Sequence, residues 1–234
     1  MRVVAHRTCP LEAPENSVEG IVGASALGAD AVELDTRLTR DGEVVLLHDH
    51  WPLRVARPHL PIPVSWLPAR ATDRLRLRNG EPLPRFAAAI DGLPDGLDVA
   101  VDVKDGRSMA AAIAVLTASG KLDRAMLWSR QAPAVATAAE RAPANERALL
   151  RNTVGPEKTL AYLRDAASLG ATAVSVMDVS VSAEVVRAAH DLGLTIYAWV
   201  RTAEAHGAVI DAGPDGVVTD WVAQARRLVG ARPL

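Results

Sequence analysis

The chain has little that would tie it to a membrane, an oxidising compartment or a nucleic acid. Its 234 residues hold one cysteine, Cys9. No intramolecular disulfide can form, which is in keeping with a reducing compartment. No apolar run is long enough to span a bilayer. After Met1-Arg2 the apolar run is only Val3-Val4-Ala5, broken by His6, so there is no secretory signal pattern. The expectation is a cytoplasmic protein without stable membrane insertion. The formal net charge of −2 provides no basic excess, and no nucleic-acid partner is expected. Also missing is a glycine-rich loop after the first strand. Arg7-Thr-Cys-Pro-Leu-Glu-Ala-Pro14 contains no glycine, which argues against an open doubly wound sheet binding a dinucleotide.

What is present is a repeated unit. Leu27-Gly-Ala-Asp30, Leu169-Gly-Ala-Thr172, Leu192-Gly-Leu-Thr195 and Ala212-Gly-Pro-Asp215 each end an Ala-rich helical stretch and precede a β-branched run. Strands alternating with helices imply a parallel sheet. Eight strands are predicted, near residues 2–6, 31–36, 98–104, 125–129, 147–151, 172–177, 195–200 and 215–218. Eight helices are predicted near 17–27, 84–92, 107–119, 131–141, 156–169, 182–192, 202–211 and 220–229. This count is that of an α/β fold of the (β/α)8 TIM-barrel type, with residues 1–234 forming a single domain.

One interval breaks the rhythm. Asp41-Gly42 reads as a tight turn, so residues 36–48 form a hairpin off strand two. A Pro- and Arg-rich excursion then occupies about 49–84. Over 51–85 it carries seven arginines (54, 57, 70, 74, 76, 78, 85) against Asp73 and Glu81. Such a segment is either a solvated loop or small helical cap, or a lid that attracts an anionic substrate.

The chemistry-bearing residues cluster at predicted strand ends, where barrel enzymes keep their active sites. In Ala31-Val-Glu-Leu-Asp35, alternate residues point the same way, so Glu33 and Asp35 both face the barrel axis. Two buried like charges repel unless a cation lies between them, and oxygen ligands suit Mg²⁺ or Ca²⁺. Asp102 occupies the matching height on the next strand and completes a three-carboxylate metal set. Lys104 follows on the same side, placed either to contact a phosphate or to balance the third acid. His6 and His48 reach the same mouth and suit a general acid and a general base. Arg7 offers a forked cation for phosphate. His50 and His59 are expected in loops, and His190 and His206 on outer helical surfaces. Ser129, Arg130, Arg151, Asn152, Asp178, Arg201 and Asp220 follow the later strands. They are either capping and surface-pairing groups or selectivity residues.

Five linked segments carry a resemblance: Ala5-His-Arg7, Ala13-Pro-Glu-Asn-Ser17, Gly28-Ala-Asp-Ala-Val-Glu-Leu-Asp35, Leu38-Thr-Arg-Asp-Gly42 and Val45-Leu-Leu-His-Asp49. Their order and spacing resemble the glycerophosphodiester phosphodiesterase family. The likeness resumes at Glu81-Pro-Leu-Pro84, Asp102-Val-Lys104, Ala198-Trp-Val200 and Gly213-Pro-Asp-Gly-Val-Val-Thr-Asp220. Residues 105–190 share only the rhythm.

The resemblance implies a barrel, one divalent cation and hydrolysis of a small-molecule glycerophosphodiester to an alcohol and glycerol 3-phosphate. It implies His6 and His48 as the acid–base pair, and Glu33, Asp35 and Asp102 as metal ligands; which histidine acts first as base is not legible, with His6 the favoured choice. Arg7 and Lys104 would contact phosphate, and Trp199 would wall the pocket. Glu15 and Asn16 would support the site or touch the metal. Two departures stand out. The family usually has glycine after His-Arg, where this chain has Thr8, and glutamate where it has Asp102. The Asp-x-Lys arrangement resembles the related sphingomyelinase D enzymes, so a phospholipase D-like or lysophospholipid phosphodiesterase is one alternative. A catalytically silent barrel that binds a phosphorylated metabolite is another. The oligomeric state is not legible.

Overall fold

The computed structural model describes residues 1–230. Eight parallel strands close into a barrel: β1 (Arg2–Ala5), β2 (Ala31–Leu38), β6 (Asp98–Val103), β7 (Ala125–Ser129), β8 (Arg147–Leu150), β9 (Ala173–Met177), β10 (Thr195–Val200) and β11 (Gly216–Thr219). Closure comes from β1, which pairs with β11 and with β2. The helices that follow the strands are α1 (Val18–Ala26), α3 (Phe86–Asp91), α4 (Ser108–Ala118), α5 (Ala132–Arg141), α6 (Pro156–Ser168), α7 (Ala183–Asp191), α8 (His206–Ala212) and α9 (Val222–Gly230). All eight expected strands and all eight expected helices are present. The largest boundary difference is at α8, which begins at residue 206 rather than 202. The first strand ends at Ala5, and His6 opens a short 3-10 turn.

Alternation along each strand divides the core into two layers. Val3, Ala5, Val32, Leu34, Val99, Val101, Val103 and Leu127 face the helices. Val4, Ala31, Ala100, Met126, Trp128, Ala148, Leu150, Ala173, Tyr197 and Val218 fill the barrel. Small residues on several strands leave room for two large rings, Trp128 and Tyr197, whose centroids lie 4.9 Å apart. Each ring needs a partner for its polar tip. Glu146, just before β8, accepts from Trp128 Nε1 at 3.2 Å and from the Tyr197 hydroxyl at 3.0 Å. Gly216 is required opposite Tyr197, because a β-carbon there would lie 2.6 Å from the ring. This packing plugs the N-terminal end and leaves the C-terminal end open.

The excursion is a small structured cap. β3 (Val44–Leu46) pairs antiparallel with β2, with Thr36 opposite Leu46 and Leu38 opposite Val44. Gly42, at φ +88°, makes the turn. β4 (Ala56–Arg57) and β5 (Arg76–Leu77) form a second antiparallel pair, and α2 (Ala69–Thr72) lies between them. Val45, Leu47, Ala56, Val64, Leu75, Leu77 and Leu83 give the cap its own apolar cluster. A merely solvated loop would not bury such a cluster.

The loop after β1 is held in an unusual shape. Arg7, Thr8 and Cys9 all have positive φ (47°, 61° and 67°). A left-handed β-branched residue is costly and persists only where its surroundings fix it. Thr8 is fully buried, and its Oγ1 accepts from Ser17 N at 3.2 Å. Ser17 in turn caps α1 by accepting from Gly20 N at 2.9 Å. Gly20 lies directly beneath Thr8, and a β-carbon on it would collide with the Thr8 carbonyl oxygen, Oγ1 and Cβ. The obstruction includes backbone, so no rotamer change relieves it. Gly20→Ala is expected to destabilise the protein by about 1–3 kcal/mol or more. Urea unfolding checks this, and an unchanged midpoint would contradict the packing described.

Candidate active site

Glu33 and Asp35 occupy alternate positions of β2, and Asp102 on β6 lies in register with Asp35. One oxygen from each of the three lies within 4.8 Å of the others. All three residues are buried. Asn16 pins Asp35 from both sides. Its Nδ2 donates to Asp35 Oδ2 at 2.8 Å, and its Oδ1 accepts from Asp35 N at 2.9 Å. Asn16 does so from a left-handed backbone (φ 56°), a conformation asparagine tolerates. Arg7 N donates to Glu33 Oε2 at 2.8 Å. Lys104 Nζ lies 2.7 Å from Asp35 Oδ1 and donates to Asp102 Oδ2. Arg7 Nε lies 3.4 Å from Asp35 Oδ2.

The cluster holds three carboxylates and two fixed cations. Burial works against ionisation of Asp35, but Lys104, Arg7 and His48 outweigh it and hold that carboxyl well below its ordinary value. Glu33 goes the other way. Burial and the neighbouring charge of Asp35 push it well above the usual carboxylate range, against the pull of Lys104. Asp102 Oδ1 is buried without a hydrogen-bond partner among the described residues. An orphaned carboxylate oxygen beside a carboxyl pushed toward its neutral form is the arrangement a divalent cation would resolve.

Both histidines are oriented by carboxylates. His6 Nδ1 lies 2.7 Å from Asp220 Oδ1, at the end of β11. His48 Nδ1 lies 2.7 Å from Asp49 Oδ1. Each contact fixes the ring and leaves Nε2 as the free nitrogen. Asp49 is itself held by Arg54 of the cap, whose Nε donates to Asp49 Oδ2 at 2.8 Å. The same guanidinium grips Glu15 through two bonds of 2.6 and 2.7 Å. Arg37 donates to the His48 carbonyl oxygen from Nε (3.0 Å) and a terminal nitrogen (2.6 Å). Burial lowers the His48 pKa below the ordinary imidazole value, aided by Lys104 and Arg7 and opposed by Asp35 and Asp49.

These groups line the mouth of the barrel around a cavity of about 500 Å³. His6, Arg7, Glu33, His48, Asp102, Lys104 and Trp199 are on its wall. The Trp199 ring stands 5.6 Å from that of His6. Asn16 lies behind Asp35, and Glu15 turns both oxygens to Arg54. Of the residues following the later strands, Arg130, Arg151 and Asn152 line the cavity, whereas Ser129, Asp178 and Arg201 do not. Ser129 Oγ donates to the Val103 carbonyl oxygen, and Arg201 pairs with Asp178 at 2.8 Å. His206 corrects an expectation. It is fully buried, with Nε2 2.9 Å from Thr219 Oγ1, because α8 begins later than expected and turns this residue inward. Arg37 and Arg54 were not singled out for the site. Arg37 shares the Glu33/Asp35 period on β2, which was a usable signal. Arg54 could not be found by pattern, because its partners are 39 and 5 residues away.

Comparison with known proteins bears on the family. The sequence profile of the Glycerophosphoryl diester phosphodiesterase family matches residues 6–60, the segment that contains His6, Arg7, Glu33, Asp35 and His48. The probable glycerophosphodiester phosphodiesterase 2 of Mycobacterium tuberculosis is 27% identical over 94% of this chain and 86% of its own length. The glycerophosphodiester phosphodiesterase of Caldanaerobacter subterraneus is 47% identical, but over only 20% of this chain and 19% of its own length. The same barrel occurs in the crystal structure of glycerophosphodiester phosphodiesterase from Agrobacterium tumefaciens. There the TM-score is 0.83 at 20% identity, covering 99% of this chain and all of that one. It also occurs in an Oleispira antarctica phosphodiesterase solved with the product sn-glycerol-3-phosphate. That match has a TM-score of 0.86 at 19% identity, covering 99% of this chain and 97% of that one.

The chain is thus similar to glycerophosphodiester phosphodiesterases in sequence, most closely over residues 6–60, and shares their barrel over nearly its whole length. Among the described residues, no helix is long and apolar enough to cross a membrane.

The donor set fits a hard divalent cation, with Glu33, Asp35 and Asp102 as the residues that would hold it. Saturating Mg²⁺ or Ca²⁺ is expected to raise the unfolding temperature, equivalent to about 2.7 kcal/mol at a hundredfold excess over Kd. Asp102→Asn should lose most of that increment. Because Glu33 favours its protonated form, cation uptake should release a proton and weaken as pH falls. Calorimetry in buffers of different ionisation enthalpy reads this directly. A pH-independent affinity would contradict the coupling.

Proposed function

We propose that this chain is a metal-dependent glycerophosphodiester hydrolase, releasing an alcohol and glycerol 3-phosphate through the paired histidines His6 and His48. The observation that carries the reading is the convergence of two carboxylate-oriented imidazoles and a three-carboxylate cluster on one cavity. The whole chain acts as one catalytic domain, with the 49–84 cap supporting His48 through Arg54 and Asp49. Trp199 walls the substrate cavity beside His6.

Glu33, Asp35 and Asp102 would hold the divalent cation, which would supply Lewis-acid withdrawal of charge from the phosphate. Arg7 and Lys104 line the cavity and would neutralise the remaining phosphate charge, as preorganised cations do in phosphoryl transfer. Asn16 keeps Asp35 facing the cluster, and Glu15 holds Arg54 so that Asp49 stays against His48. The glycerol moiety carries a hydroxyl next to the phosphoester. One histidine removes its proton, the oxygen attacks phosphorus, and the P–O bond to the leaving alcohol breaks as the other histidine donates a proton. Water then opens the cyclic phosphate with the two roles reversed.

The surroundings favour His48 as first acceptor rather than His6. Burial, with Lys104 and Arg7 nearby, lowers the His48 pKa and so favours the neutral, proton-accepting imidazole. Asp49 contacts both His48 and Arg54, whereas the Asp220 carboxylate lies 2.7 Å from His6 Nδ1 and is shared with no other cation among the described residues. That leaves His6 to donate to the leaving oxygen.

Alanine at either histidine should lower turnover of glycerophosphocholine by roughly 10²–10⁴-fold. Chelation should abolish turnover, and Mg²⁺ or Ca²⁺ should restore it. The two histidines separate on an activated substrate, the nitrophenyl ester of glycerol phosphate, whose leaving group needs no proton. There His6→Ala should recover most of its loss and His48→Ala should not. Equal recovery in both variants would refute the assignment, and wild-type rates in both would refute the mechanism.

A further inference from the structure

Around the barrel the strand order is β1, β2, β6, β7, β8, β9, β10, β11, so β8 stands diametrically across the mouth from β1. The catalytic groups described above occupy the arc of β1, β2 and β6. The opposite arc has a different character. Arg130 follows β7, and Arg151 and Asn152 follow β8, and all three line the same cavity. Arg130 donates to Asn152 Oδ1 at 2.9 Å and forms no ion pair with a carboxylate among the described residues. Arg151 lies 5.6 Å over the Tyr162 ring and has one exposed partner, Asp165, at 3.2 Å. Exposed pairs of this kind contribute little and exchange readily. The acidic residues on the cavity wall are Glu33 and Asp102, both already committed to the three-carboxylate cluster. The far wall is therefore positive, with the exposed Asp165 as its one nearby counter-charge.

A phosphodiester held at the β2/β6 side extends its alcohol portion into this space. The cavity, about 500 Å³, is large enough for both ends of a small polar diester. Two guanidiniums and a carboxamide at the far side form a fork-like donor set suited to an oxyacid. We propose that Arg130, Arg151 and Asn152 form a subsite for a second anionic group, carried on the leaving alcohol of the substrate. The inference rests on the hydrolase reading above and narrows it. Preferred substrates are glycerophosphodiesters whose alcohol bears a phosphate or carboxylate, rather than a choline-like cation.

The test compares glycerophosphoglycerol with the same diester bearing a terminal phosphate monoester, using metal-loaded protein. The wild type should favour the phosphorylated form in kcat/KM by about tenfold or more, the scale of one or two charge-assisted hydrogen bonds. In an R130Q/R151Q variant the ratio should collapse toward unity. An unchanged ratio would overturn the subsite. Binding of the two compounds is measured in parallel by calorimetry in the His48→Ala background, where turnover is slow. A tenfold preference in binding that the two Gln substitutions remove would support the subsite even if no diester were hydrolysed, in which case only the hydrolase reading would fail. Equal binding of the two compounds would overturn the subsite whatever the turnover.

Discussion

The structure depends on how three carboxylates can be buried together at one end of a barrel. Isolated ionised groups are costly to remove from water, and like charges at close range add to that cost. Here the offset comes from Lys104 between Asp35 and Asp102, from Arg7 beside Asp35 and Glu33, and from Asn16, which satisfies Asp35 with side chain and backbone together. The compensation is incomplete, since Glu33 is driven toward its neutral form and one oxygen of Asp102 is left without a partner. That residue of unfavourable charge is what makes the cluster receptive to a divalent cation rather than a self-sufficient ion-pair network.

The barrel itself explains why the cluster sits where it does. The floor is closed by Trp128, Tyr197 and Glu146, and the ring pair needs Gly216 to seat. The period of two along β2 and β6 turns Glu33, Asp35 and Asp102 inward above that plug, with Asp35 and Asp102 in register and Glu33 one inward position below them. The first βα loop then supplies Arg7, Glu15 and Asn16. Its three successive left-handed residues are tolerated because Ser17 and Gly20 anchor the loop on α1. Strain in this loop is thus coupled to the placement of Arg7 and Asn16.

Much of this was legible in the sequence because it follows from local periodicity. Strand alternation places Glu33 with Asp35, and β2 and β6 become neighbours because the residues between them fold into a hairpin and cap rather than another barrel strand. The helix-ending glycines marked the repeats. Less legible were the groups whose role depends on distant partners. Arg54 joins Glu15 and Asp49 only because the cap folds back over the first loop, and its own apolar cluster of Leu47, Val64, Leu75 and Leu77 is what brings it there. Asp220 orients His6 only because β11 closes on β1, a pairing of the two ends of the chain. His206 was misplaced for a local reason, the late start of α8, which rotates that residue from the outside to the Thr219 side.

The two departures from the family pattern bear directly on whether the site is intact. Thr8 takes the place of a glycine in a backbone conformation that favours glycine, which explains why the family prefers that residue there. Its side chain, however, points toward Ser17 and Gly20 and is absent from the cavity wall, and Gly20 supplies the space it needs. Asp102 is shorter than glutamate by one methylene, yet its register with Asp35 keeps an oxygen within the cluster. A silent barrel that only bound a phosphorylated metabolite would have no need to orient two imidazoles with separate carboxylates, or to tie one of those carboxylates to the cap through Arg54. Those contacts fix the imidazoles of His6 and His48, and Thr8 and Asp102 leave each contact in place.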